Sequence, residues 1–166
     1  MPQRTLYDGS DAPLVIEQAE SFDLVFTALT VDVSAGNVRT ETVVAASNLL
    51  TLTLTLYDAA SNSVINSRSA QDVLGVNGGT VEASAVRIRL QPADNPIVSA
   101  TLAVGGVEWH VARLTYTWND GVTTRTGIED VRFGVRRVAY SPAQPRRARR
   151  VTKPQAAVLR RVDRVD

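Results

Sequence analysis

The chain has no cysteine and a single histidine, His110, among its 166 residues. Without thiols, neither a disulfide framework nor a thiolate metal centre can form. One histidine with no cysteine also leaves too few preferred zinc ligands, so no metal and no cofactor is expected. Aromatic residues make up only 5% of the chain, and lysine is reduced to Lys153 against seventeen arginines. No stretch approaches the roughly 20 apolar residues that span a bilayer. The first fifteen residues lack the basic-then-apolar pattern of a cleaved signal. The expectation is a soluble protein with no membrane partner.

What is present has a period of two. Leu50, Leu52, Leu54 and Leu56 alternate with Thr51, Thr53, Thr55 and Tyr57. Val86, Ile88 and Leu90 alternate with Arg87 and Arg89; Leu114, Tyr116 and Trp118 alternate with Arg113, Thr115 and Thr117; Val131, Phe133 and Val135 repeat the pattern. One apolar and one polar face per strand is the signature of antiparallel sheets with one solvated side. Asn119-Asp120-Gly121 marks a hairpin, and Ala35-Gly36-Asn37, 58–62 and Asn77-Gly78-Gly79 mark further turns. About eight strands are expected between residues 13 and 138, with at most one helical turn near Ala70–Leu74. Many short strands with regular turns indicate an all-β sandwich.

Apolar parity changes twice. Val107, Trp109 and Val111 are apolar at odd positions and Ala112, Leu114, Tyr116 and Trp118 at even ones, which predicts a bulge or bend near Val111-Ala112. Phe22, Leu24 and Phe26 give way similarly to Leu29, Val31 and Val33, as where a strand switches sheets.

Charge divides the chain. Residues 1–135 carry fifteen Asp/Glu against eight Arg, a net of −7, whereas residues 136–166 carry nine Arg and Lys153 against Asp163 and Asp166, a net of +8. The organisation is thus a polar N-terminal arm (1–12), a β domain (13–138) and a basic, proline-punctuated C-terminal arm (139–166). Arg146, Arg147, Arg149 and Arg150 crowd five positions, followed by Lys153. Val158, Leu159, Val162 and Val165 fall at helical spacing with Arg160, Arg161 and Arg164 between them, so a short amphipathic helix that docks on a surface is expected. Guanidinium forks suit carboxylate or phosphate partners. The interspersed prolines, Val and Leu favour a protein groove over nucleic acid, which stays as the alternative.

No catalytic constellation emerges. His110 lies on a strand without a nucleophile motif and reads as a structural or surface histidine. Glu129 and Asp130 are adjacent and point to opposite faces, which spoils them as an acid–base pair. Asp58, Asn62 and Asp120 lack the spacing of a calcium loop and suit turns. Gly78-Gly79 feeds no helix and reads as a turn, not a phosphate loop. Trp109, Tyr116 and Trp118 could stack on bases or sugars, but at least Tyr116 and Trp118 face inward. The expectation is a non-enzymatic protein.

The order of segments carries a resemblance. LTLTLTLYDAASNSVINSR (50–68), VRIRLQPADN (86–95), EWHVARLTYTWNDG (108–121) and a closing VRFGV strand (131–135) are similar to immunoglobulin-like β-sandwich modules of tailed-bacteriophage virion proteins. The resemblance covers roughly residues 45–138. It implies an antiparallel immunoglobulin-like sandwich with extended N- and C-terminal arms, acting in head decoration, neck, tail or baseplate. It also implies capsid, neck or tail subunits as partners, a homo-oligomer in a symmetric assembly, a virion location after assembly in the host cytoplasm, and no catalytic residues. A carbohydrate-binding adhesion sandwich is a weaker alternative.

Overall fold

In a computed structural model of the chain, the described residues are 4–5, 14–34, 38–119, 121–139, 156–160 and 163–165. The strands are β1 (Arg4–Thr5), β2 (Val15–Glu17), β3 (Phe22–Thr27), β4 (Leu29–Ser34), β5 (Val38–Val43), β6 (Leu49–Asp58), β7 (Gln71–Asp72), β8 (Gly79–Val81), β9 (Val86–Leu90), β10 (Val107–Asn119), β11 (Thr124–Arg136), β12 (Ala156–Arg160) and β13 (Asp163–Val165). Two single 3-10 turns, Ala46–Asn48 and Pro92–Asp94, are the helical elements among the described residues. The architecture is all-β.

The largest sheet runs β1-β11-β10-β6-β7, with β2 also beside β11; a second runs β12-β3-β9-β8 and a third β13-β4-β5. The first two enclose one core. Leu52, Leu54, Leu56, Leu114, Tyr116, Val131, Phe133 and Val135 from one layer meet Phe22, Leu24, Phe26, Val86, Ile88 and Leu90 from the other, nearly all without solvent contact. Phe22 packs edge-on to Phe133 with centroids 5.0 Å apart, and Phe26 tilts against Tyr116 at 4.8 Å. Such ring pairs add to plain area burial and lock the layers in one relative position.

The outward rows behave as their alternation implies. Arg113 reaches Asp130, its register partner, through two hydrogen bonds of 2.8 and 2.7 Å, and lies over the Tyr57 ring. Asp23, on the face of β3 away from the core yet itself buried, accepts from Arg89 at 3.0 Å and lies 3.6 Å from Arg87.

One buried ion pair joins two connections. Arg68 grips Asp94 bidentately, Nε to Oδ1 at 2.6 Å and Nη2 to Oδ2 at 2.8 Å. Asp94 also accepts from Asn66 Nδ2 and from the Gln91 backbone N–H. The remaining guanidinium nitrogen donates to Gln71 Oε1 and the Asn77 carbonyl. Burial raises the Asp94 carboxyl, but Arg68, Asn66 and the Gln91 N–H pull it below its ordinary value.

Several expectations are corrected. The bulge is not at Val111-Ala112, where β10 pairs continuously with β11 and β6. It lies lower, where Thr117 faces Thr51 but Trp118 faces Leu49. The extra residue there is Leu50, which is 52% exposed while Leu49 takes the inward place. The predicted helical turn at Ala70–Leu74 is instead the short strand β7. Ala70 N–H donates to Thr55 Oγ1 and Val73 N–H to the Leu52 carbonyl, so β6 captures this segment edge-on. The helix anticipated over 158–165 is replaced by β12 and β13. Eight residues are too few to separate a helical period from a strand when a sheet edge is available. The parity change after Phe26 marks the passage at Ala28 from β3 to β4, which lie in different sheets. The Asn119–Gly121 hairpin forms between β10 and β11, with a loop longer than the two-residue type, since Asn119 pairs with Thr124.

Candidate functional site

The basic arm is only partly placed. Val158, Leu159 and Arg160 belong to β12 and Arg164 to β13, whereas Arg146, Arg147, Arg149, Arg150, Lys153, Arg161 and Val162 lie outside the described residues. The pairing of these strands is parallel: Ala156–Arg160 runs alongside Asp23–Thr27 and Asp163–Val165 alongside Thr30–Asp32. At the other end, β1 and β2 pair in parallel with β11, at Val131–Arg132 and at Gly134–Arg136. Each terminal segment thus enters by main-chain pairing with a strand of the body.

A second cluster comes from strand periodicity alone. The even positions of β10 face inward from Trp118 down through Ala112, and continuing that period brings His110 and Glu108 inside, both buried. Antiparallel register places Asp58, the last residue of β6, directly opposite His110. Two carboxylates and one imidazole therefore gather at one end of the core, with a donor atom from each within 4.8 Å of the others. Trp109 turns outward, where the Arg132 guanidinium covers its ring at 4.9 Å.

Each group is held. Glu108 accepts from the Val98 N–H at 2.8 Å, the Ser99 N–H at 2.7 Å and His110 Nε2 at 2.8 Å. Asp58 accepts from both the N–H (2.7 Å) and the hydroxyl (2.6 Å) of Ser61, closing the turn after β6. Burial raises the Glu108 carboxyl, yet the Val98 N–H, His110 and the Ser99 N–H bring it below its ordinary value. Asp58 is lowered likewise, with burial opposing and Ser61 and the Ala60 N–H prevailing. The His110 ring stands edge-on to Phe133, and its Nδ1 is buried without a hydrogen-bond partner.

A cleft of about 600 Å³ opens beside this cluster, lined by Asp58, Ser61, Ser99, Glu108, Trp109 and Arg132 among others. The hydrogen bonds are not ordered as a nucleophile relay. Ser61 donates directly to Asp58, and His110 is engaged with Glu108, so the imidazole does not stand between hydroxyl and carboxylate. What the arrangement can do is carry two negative charges close to an imidazole next to solvent-accessible space.

Hydropathy alone hides the cluster, because it makes Val107, Trp109 and Val111 the inward set of this stretch. The usable signal was continuity of the 112–118 period.

Glu108 also makes an acid-sensitivity prediction. A carboxyl lowered in the folded state stabilises above its unfolded value, ordinarily 4.5, and that contribution is lost as pH falls through the folded value. Thermal unfolding followed by circular dichroism is expected to show the melting temperature dropping below about pH 4.5. In Glu108→Gln the drop is shallower, leaving the share due to Asp58 and Asp94. An unchanged pH profile in that variant contradicts the assignment.

Among the described residues no helix is long and apolar enough to cross a membrane. No protein-family model matches the chain, and no curated protein is similar to it at a significant level.

Proposed function

We propose that this chain is a non-enzymatic structural subunit of a phage virion: an immunoglobulin-like β-sandwich whose arms fasten it to its neighbours around head, neck or tail. The observation that carries the reading is the way the C-terminal arm meets the body. Its strands add in parallel beside β3 and β4 through main-chain hydrogen bonds, a mode of recognition that a neighbouring sheet edge offers equally well. Sixteen residues, 140–155, precede β12 and reach roughly 55 Å when extended. That exceeds the span of a domain of this size, whose radius of gyration is about 13 Å. In the assembly the arm of one copy lies along the acidic body of the next, its arginines supplying the charge complement.

The absence of cysteine gives a clean test. Val158 pairs with Val25, and neighbouring strands stand about 4.8 Å apart, within disulfide reach. Oxidation of the Val25→Cys/Val158→Cys protein is expected to give covalent dimers and higher species, and a chain ending at Val138 is expected to sediment as a smaller species than the full chain. Exclusively intrachain disulfides, together with a truncated chain that associates and incorporates into particles as the full chain does, would defeat the strap reading. The competing nucleic-acid role instead requires duplex binding whose log affinity falls with log salt at a slope of several units.

A further inference from the structure

Asp58 and Glu108 are buried, 4% and 8% exposed, yet no arginine or lysine among the described residues pairs with either. The ion pairs elsewhere follow the opposite rule: Asp94 has Arg68, Asp130 has Arg113, and Asp23 has Arg87 and Arg89. Buried carboxylates without a cationic partner are costly unless something positive joins them. The basic group in contact with them is His110, wholly buried, with Nε2 on Glu108 and Nδ1 lacking any partner, while Arg132, which also lines the cleft, lies over the Trp109 ring.

We propose that Asp58, Glu108 and His110 form a binding site for a single first-row divalent cation of the zinc or manganese kind. The donor set of two carboxylates and one imidazole matches such ions better than calcium or magnesium, which take oxygen ligands throughout. Ligands about 2.0–2.2 Å from zinc stand roughly 3–4 Å from one another. The three donors already lie within 4.8 Å of one another; the 2.8 Å contact between His110 Nε2 and Glu108 opens slightly, and its hydrogen bond gives way, as the ion enters. The Ser61 and backbone N–H groups that hold the two carboxylates fix their orientation from behind, as outer contacts do at metal centres. The adjoining cleft, onto which Asp58 and Glu108 open, gives the ion an entry path and room for water ligands. A bound cation clasps the turn after β6, strand β10 and the loop at Val98-Ser99 into one unit. This site stands independently of the assembly role.

The single histidine makes the test unambiguous. The full-length protein is titrated with zinc chloride while the ¹⁵N signals of the His110 imidazole are recorded, and with manganese while free ion is followed by electron paramagnetic resonance. The expected result is a large shift of one ring nitrogen that saturates at one equivalent, with zinc displacing manganese. Asp58→Asn and Glu108→Gln, checked for folding by their amide spectra, are each expected to bind at least about tenfold more weakly. Imidazole signals that do not move in about a hundredfold excess of zinc overturn the proposal without recourse to any variant. So does uptake at several equivalents with His110 unmoved, which marks adventitious surface binding. Undiminished affinity in both folded variants overturns it as well.

Discussion

Replacing Asp94 by alanine is expected to lower the free energy of unfolding by about 3–5 kcal/mol, measured by urea titration at neutral pH. The size follows from what remains behind. Arg68 is only 7% exposed and directs Nε and Nη2 at Asp94, so truncation strands a buried guanidinium with two unmet donors. The Gln91 N–H and Asn66 amide lose their acceptor at the same time. A control separates net attraction from this stranding. Removing both charges with Arg68→Met/Asp94→Leu is expected to cost much less than the single change, because isosteric apolar replacement of a buried pair is often close to neutral. If Asp94→Ala costs under about 1 kcal/mol, the pair is not what fixes the 65–72 segment to the Pro92–Asp94 turn.

The second large effect is at Phe133. Phe133→Ala is expected to cost about 3–5 kcal/mol, in the range for removing a fully buried ring. Phe133 comes from the C-terminal third of β11, touches Phe22 across the core and backs the His110 ring at 5.6 Å. Its loss opens a cavity between layers and releases the imidazole as well. The same variant is therefore expected to disturb the His110 side-chain resonances, whereas Leu54→Ala, a comparable core truncation, leaves them close to their original positions. Equal disturbance by both variants contradicts a specific role for Phe133 behind the imidazole.

The strands that form the core were readable because each presents a long enough alternation. Leu52–Leu56, Val86–Leu90, Leu114–Trp118 and Val131–Val135 all turn inward as expected. The failures share a cause. Hydropathy indicates orientation only until a polar residue is buried or an apolar one is not. Glu108 and His110 are inside and Trp109 is outside because β10 keeps its period, and an arginine then covers the Trp109 ring. Leu50 is outside because a bulge shifts the frame by one residue. Asp94 ends the Pro92–Asp94 turn, but its partner Arg68 lies 26 positions away, and no local pattern announces that distance. The arm failed differently. Its strands exist by pairing with residues more than a hundred positions earlier, so nothing within 156–165 could distinguish them from a helix.

The two pairings of that arm share one further property. Ala156 stands beside Asp23 and Asp163 beside Thr30, each 133 positions later in the chain. The registry is therefore the same on both sides of Ala28, although β3 and β4 belong to different sheets. A slip of a single residue would misalign both pairings at once, and detaching one loosens the other. Strands β12 and β13 thus keep one common offset from the body, and release of both would uncover two sheet edges, those of β3 and β4.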